Sequence, residues 1–197
     1  WGGDVANRIR FAAAIAAGVR DAVGPNFIIG IKMPGTEEVT GGIDPDEAER
    51  LTKALSAAGL FNYFAYGQGN FSLSLESHVP DIHYRPGHFL DIHKRMRAAS
   101  GDVPVMALGR IGSPEEAEAA LADGCGDLIG MSRALIADAD FPAKAEAGDP
   151  DAIRPTPFDN AAWGLIHQGK QLSDHLNPHI GHAGESNWRP PKAETPR

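Results

Sequence analysis

The stretch from Val103 to Asp138, VPVMALGRIGSPEEAEAALADGCGDLIGMSRALIAD, constrains the fold most tightly. Val103, Val105, Met106, Ala107 and Leu108 form a nearly continuous apolar run, the pattern of a parallel strand buried on both faces. Gly109-Arg110 ends it. Ser113-Pro114-Glu115-Glu116 then opens a helix, with Ser as N-cap, Pro at the first helical position and Glu at the third. Ala117, Ala120 and Leu121 give that helix a thin apolar face, and Gly124 stops it. Asp127-Leu128-Ile129-Gly130-Met131 reads as the next strand, with Ser132-Arg133 at its carboxyl end and a short helix beyond. Strand and helix in alternation predict an α/β fold with a parallel sheet.

The two strand ends carry the chemistry. Gly109-Arg110 and Ser132-Arg133 each offer turn N–H groups and a guanidinium, and a helix N-terminus follows the second. Such groups suit a phosphate dianion, with Arg as a bidentate clamp. In barrels of eight β/α units, a phosphate site is commonly built from the loops after strands seven and eight. Spacing alone also admits surface arginines and turn-forming glycines.

The segment PVMALGRIGSPEEAEAALADGCGDLIGMSRALIADADFPAKAEAGDPDAIRP resembles the last two β/α units of the old yellow enzyme family. It is most similar to the trimethylamine dehydrogenase and dienoyl-CoA reductase branch. The opening WGGDVANRIRF resembles that family's YGGS-x-x-NR-x-RF stretch. The similarity spans most of residues 1–185; it is specific at 1–11 and 103–155 and loose at 66–86. It implies a (β/α)8 TIM barrel holding FMN, with Leu108, Gly109, Arg110, Met131, Ser132 and Arg133 at the cofactor's phosphate end.

The 197 residues amount to about one domain. A 42% hydrophobic content suffices for a core. A formal charge of −8, without a Lys/Arg run, argues against nucleic acid and anionic membranes as partners. The longest apolar stretches are strand-length, which predicts no membrane span, and the amphipathic, charged opening predicts no signal peptide. The single cysteine, Cys125, rules out an internal disulfide and suggests a reducing, cytoplasmic setting. A full barrel needs about 250 residues, and the chain begins at Trp1 with four recognisable strands. The expectation is the carboxyl half of a barrel, strands five to eight. Its partners would be the other half, in the same or a second chain, a small-molecule substrate, and further copies in an oligomer. Residues 1–148 would form the half-barrel and 149–197 an extension and linker.

Along the chain, Val5, Ile9, Ala12, Ala16, Val19 and Val23 recur at helical steps, predicting a helix over 4–23 ended by Gly24-Pro25-Asn26. Phe27 to Met33 reads as the first strand, with Lys32 near its carboxyl end. The resemblance implies that Lys32 takes the place of an Arg beside the flavin N1 and C2 carbonyl, where a cation stabilises the anionic reduced ring. It keeps the charge and loses the planar fork. The residue alone also fits a Lys capping a barrel layer. Asp44-Pro45-Asp46-Glu47 starts a helix with Leu51, Leu55 and Ala58 as its buried stripe, and Asn62 to Tyr66 is the next strand. The long loop from Gly67 to Gly87 contains Gln68, Asn70, Glu76, His78, His83 and Tyr84, and long loops in compact domains tend to be functional. By resemblance it covers the substrate side of the flavin, which nominates Glu76, His78 and Tyr84 as catalytic. The branch's Trp and Asp motif is not reproduced there; Glu76 or Ser77 falls near its acidic position.

A helix from about Gly87 to Ala99 follows. His83, His88 and His93 are spaced by five, about 140° apart on a helix, so they cannot share a metal; they read as loop and surface histidines. His175, His179 and His182 lie closer to ligand spacing, but LNPHIGHAGE resembles a structural NP-x-x-G-x-E stretch of the family, and no metal is expected. After Ile153-Arg154-Pro155 the branch carries cysteines that hold a [4Fe–4S] cluster. Thr156, Asp159, Ala162 or Trp163, and Asp174 stand at the matching positions. Oxygen ligands do not replace thiolates there, so no iron–sulfur cluster is expected. Asn187 to Arg197 has a linker composition, and in cluster-bearing relatives such a linker leads to an FAD/NAD-type dinucleotide-binding domain.

The resemblance implies an FMN-dependent oxidoreductase that oxidatively N-demethylates or dehydrogenates a small methylated amine or amino acid. NAD(P)H-dependent C=C reduction is the alternative activity, and a non-catalytic half-barrel subunit the alternative class.

Overall fold

The computed structural model describes residues 1–182 and 184; the linker composition at Asn187 to Arg197 lies outside them. The chain folds as two compact units, Trp1–Ile111 with Glu115–Met131, and Gly112–Pro114 with Ser132 onward.

In the first unit, β1 (Gly30–Thr36), β2 (Tyr63–Gln68), β3 (Val105–Ala107) and β4 (Leu128–Ile129) make one parallel sheet in the order β1-β2-β3-β4. Helices follow the strands: α1 (Val5–Val23) precedes β1, α2 (Pro45–Ala57) joins β1 to β2, and α4 (Leu90–Ala99) joins β2 to β3. The connection from β3 to β4 is α5 (Pro114–Ala122). Two helix starts are capped as their sequences dictate: Asp4 Oδ1 accepts from Asn7 N at 2.8 Å, and Asp44 Oδ1 from Glu47 N at 2.8 Å with Pro45 behind it.

The register Gly30↔Tyr63 starts β1 three residues later than the Phe27 expected from the apolar run, and Phe27 and Ile28 are exposed. β1 continues through Pro34 to Thr36 with a register shift against β2 between those two residues, an irregularity that accommodates the missing proline N–H. Lys32 is therefore the third of seven strand residues, not a strand-end residue.

Ala48, Leu55, Phe64, Tyr66, Met96 and Val105 form the core, with Ile9, Ala12, Ile31 and Met33 packed against it. The α1 stripe is buried only in part: Ile9, Ala12 and Ala16 reach the interior, whereas Val19 and Val23 are exposed. In α2 the buried face runs Ala48, Thr52, Leu55, and Ala58 is exposed. Thr52 enters the core because its hydroxyl is satisfied twice, donating to Ala48 O at 2.8 Å and sharing a 2.9 Å hydrogen bond with Tyr66 Oη. Burial pushes the Tyr66 phenol up to about 12, against the Thr52 bond. Asp127 fixes the start of β3: its carboxylate accepts from Val105 N at 2.8 Å and pairs with Arg97 Nε at 2.6 Å.

His93 corrects a sequence expectation. It is fully buried rather than at the surface, edge-on to Tyr66 at 6.0 Å and stacked on Phe89. Its Nδ1–H donates to Phe89 O at 2.9 Å. Burial lowers its pKa to about 4, helped by the Lys32 charge and opposed by the Phe89 carbonyl.

The second unit contains α6 (Arg133–Ala137), α7 (Phe141–Glu146), a 3-10 turn (Pro150–Ala152) and α8 (Ala161–His167). Asp138 organises it. Its carboxylate accepts from Lys144 Nζ at 2.6 Å, Arg154 N at 2.8 Å and Asp140 N at 3.1 Å. Burial alone would raise the Asp138 pKa; the Arg154 N–H, Lys144 and the Asp140 N–H outweigh it and hold the carboxyl below its usual range. The stabilisation is complete above the ordinary carboxylate pKa and is lost as pH falls through the depressed value. Asp138→Ala should lower stability by about 2 kcal/mol at neutral pH, with a smaller penalty in acid, read from urea midpoints at both conditions. Asn177 closes the unit, donating from Nδ2 to Ile136 O at 2.7 Å.

Candidate functional site

The carboxyl ends of β1 and β2 meet through Pro34↔Gly67 and Thr36↔Gln68. Lys32 sits lower in β1, but its long side chain climbs to the level of Gly67. A Cβ on Gly67 would lie 3.6 Å from Lys32 Cε and 3.5 Å from His78 Cε1. The glycine thus leaves a small cradle with an ammonium stem on one side and an imidazole on the other.

His78 ends α3 (Leu75–His78), a helical turn inside the expected loop. That loop is tied down locally. Asn70 N donates to Ser74 Oγ at 2.9 Å, and Ser74 Oγ donates to Glu37 O at 2.6 Å, anchoring it to the segment after β1. His78 Nδ1–H donates to Gln68 O at 3.1 Å, and the Phe71 ring lies 4.5 Å away. A neutral His78 therefore presents Nε2 as an acceptor.

Beside it runs a polar chain that the sequence did not single out. Gln68 Nε2 donates to Glu38 Oε1 at 2.5 Å and lies 3.3 Å from His88 Nε2. Tyr84 packs on His88 with ring centroids 4.4 Å apart. Desolvation lowers the His88 pKa; Glu38 and Asp91 oppose that shift and Arg85 adds to it. The lowered pKa favours the neutral ring, which accepts at Nε2. Arg110 donates from Nη1 to Tyr84 O, and Gly87 N donates to Arg110 O at 3.1 Å. Glu38, Gln68 and His88 thus join Tyr84 and Arg110 in one connected group, while Glu76 is exposed in the first turn of α3.

Gly109 has φ 112° and Arg110 φ 58°, so the chain turns sharply after β3. A Cβ on Gly109 would fall 2.6 Å from Phe89 Cγ. Leu108 is half-buried, and Met131 packs on the cluster of Ala107, Ile111, Ala120 and Cys125. In the second unit Ser132 is exposed and makes no capping hydrogen bond from its side chain. Arg133 begins α6, whose five residues give only a slight dipole, weaker than the sequence suggested. The cluster-equivalent positions are engaged in polar bonds or packing. Thr156 Oγ1 accepts from Phe158 N at 3.4 Å, Asp159 pairs with His175 Nδ1 at 2.6 Å, and Asp174 Oδ1 accepts from Leu176 N at 2.8 Å. Ala162 is buried, and Trp163 packs on His167 at 3.9 Å. Among the described residues no group of three or more His, Cys, Asp or Glu is placed to hold a metal ion, and no helix is long and apolar enough to cross a membrane.

Residues 1–152 match the NADH:flavin oxidoreductase / NADH oxidase family. The chain is 32% identical to a bilirubin reductase of Mediterraneibacter gnavus, across 96% of this chain and 30% of that protein. It is 33% identical to an N,N-dimethylglycine/sarcosine dehydrogenase of Chromohalobacter salexigens, across 78% of this chain and 22% of that protein. The structure of histamine dehydrogenase from Rhizobium sp. 4-9 superposes with a TM-score of 0.84 at 25% identity, covering 95% of this chain and 26% of that one. The chain spans less than a third of the length of these relatives. Its parallel sheet is part of a (β/α)8 TIM barrel, of which it supplies about strands five to eight and their helices. With a match running from Trp1 through Ala152, the chain belongs to the NADH:flavin oxidoreductase / NADH oxidase family, the old yellow enzymes, in the branch that includes trimethylamine dehydrogenase.

Proposed function

We propose that this chain is the carboxyl half-barrel of an FMN-dependent oxidoreductase that N-demethylates or dehydrogenates a small methylated amine or amino acid. The observation that carries the reading is that Lys32 and His78 both approach Gly67, near the strand ends where barrel enzymes keep their sites. The likeness to an N,N-dimethylglycine/sarcosine dehydrogenase supports the substrate class. Each unit carries groups whose chemistry suits FMN: the first has the Lys32 cation, the Arg110 guanidinium after the Gly109 turn, and the apolar Leu108 and Met131, and the second has the Ser132 hydroxyl and the Arg133 guanidinium. A bound flavin supplies hydride transfer, and the protein supplies binding, orientation and electrostatics.

In this reading Lys32 faces the pyrimidine edge of the ring. His78, oriented by Gln68 O, takes up a proton from the substrate amine at Nε2. Tyr84 and Glu76, from the same loop after β2, would serve on the substrate side of a bound flavin. The remaining β/α units, in the same polypeptide or a second chain, complete the barrel. The cluster-equivalent positions hold Thr156, Asp159, Ala162 or Trp163, and Asp174, which do not replace thiolates, so this reading includes no iron–sulfur cluster at them. Reduction of an activated C=C bond by NAD(P)H is the second reading, supported by the likeness to a bilirubin reductase.

The test uses the complete protein. It should carry an oxidised flavin's visible absorption, bleached anaerobically by dimethylglycine or a similar methylated amine. Bleaching by NADH, with recovery on adding an unsaturated carbonyl, would instead favour the second reading; no flavin at all would make the chain a non-catalytic half. Lys32→Met should lower the flavin midpoint potential by roughly 30 mV or more, about 1.4 kcal/mol for a two-electron couple, and Lys32→Arg should restore it. An unmoved potential in Lys32→Met would make Lys32 a structural residue of the strand.

A further inference from the structure

Arg133 is half-buried, and two side chains from a later segment meet its guanidinium. The Phe158 ring centroid lies 4.7 Å from Cζ, within cation–π range. Asn160 Oδ1 accepts from Nη1 at 2.6 Å. Both partners stand in left-handed backbone, with φ 55° at Phe158 and 60° at Asn160. Asparagine adopts that conformation readily, whereas a bulky aromatic residue rarely does. The residue between them faces a different duty: Asp159 pairs with His175 at 2.6 Å and accepts from Ala161 N at 3.0 Å. Two left-handed residues flanking Asp159 thus bring positions 158 and 160 onto one guanidinium.

The chemistry of these two partners is specific. A ring on the face and an amide oxygen on one Nη1 both restrain the plane of the guanidinium. Arginine otherwise carries much rotamer freedom, which is lost on binding an anion; a group already held in plane loses less.

We propose that Phe158 and Asn160 are positioning residues that pre-orient Arg133 toward the phosphate of FMN. This rests on the reading of Arg133 as a phosphate ligand. It also assigns a task to the segment in which relatives hold their iron–sulfur cysteines: here that stretch braces the cofactor clamp.

The experiment compares FMN with riboflavin, which lacks only the phosphate, by equilibrium binding to the flavin-stripped complete protein. Wild type should prefer FMN, and Arg133→Ala should cut that preference by about tenfold or more. Phe158→Leu with Asn160→Gly should cut it by about tenfold while riboflavin affinity stays unchanged. Leucine keeps apolar bulk without a π face, and glycine accepts the left-handed backbone. Phe158→Tyr should keep the full preference, and Arg133→Ala added to the double variant should cause a smaller loss than it does in wild type. If Arg133→Ala lowers the preference and the double variant does not, the positioning role is overturned and the phosphate reading stands. If Arg133→Ala leaves the preference intact, or wild type binds no flavin, the phosphate reading falls and takes this proposal with it. Equal loss of FMN and riboflavin in the double variant marks a purely structural role, which also overturns it.

Discussion

Lowering the pH from about 7 to about 4 should cost the folded chain about 3 kcal/mol through His93 alone. His93 is fully buried between Tyr66 and Phe89, and its pKa is lowered to about 4 from 6.5. The unfolded chain binds a proton on this residue at higher pH than the native state does, so acid favours unfolding. The stabilisation of the neutral ring is complete above about pH 6.5 and is lost as the pH falls toward the folded value. His93→Leu removes the titration. It leaves the Phe89 carbonyl satisfied, because His93 N already donates to it at 3.0 Å. Urea midpoints at neutral pH and near pH 4.5 give the test: the loss on acidification should be smaller in His93→Leu than in wild type by roughly 2–3 kcal/mol. Equal losses would mean that His93 is protonated within the fold. Carboxylates such as Asp138 contribute to the slope in both proteins and cancel from the comparison.

His93 also marks a buried position that the sequence pattern carries. Helix starts were readable because their signals are local: Asp44-Pro45 and Ser113-Pro114 precede α2 and α5. The spacing of five among three histidines hid a better pattern. Phe89, His93 and Met96 recur at steps of four and three, one buried helical face that includes the imidazole. Thr52 was similarly masked, since only its distant partner Tyr66 explains a hydroxyl in the core. Strand ends shifted by two or three residues because parallel register, not local composition, sets them. In the site, the resemblance to the family points to Lys32, His78, Tyr84 and Arg110, but not to the Glu38–Gln68–His88 chain or the Phe158–Asn160 brace. The first joins a segment after β1 to one after β2, and the second depends on backbone conformations without a glycine to announce them.

Gly109→Ala should destabilise the first unit by about 4 kcal/mol, the largest effect expected of any single methyl group in the β3 turn. Two causes act together. At φ 112° a side chain is strained whatever space surrounds it. The added Cβ would also stand 2.6 Å from Phe89 Cγ. Phe89 has little room to retreat: it is buried, stacked on His93 at 6.4 Å and in contact with the His88 ring at 5.8 Å. The consequence reaches the candidate site, because the same turn sets the left-handed Arg110, whose backbone and guanidinium hold Gly87 and Tyr84. Trimming Phe89 to leucine would not relieve the contact, because the added Cβ would also stand 2.7 Å from Phe89 Cβ, an atom that leucine keeps. A Gly109→Ala protein within about 1 kcal/mol of wild type would show that the turn has another conformation of similar energy. In that case Arg110 is not held where the β3 turn now places it, and its part in binding phosphate loses its structural basis.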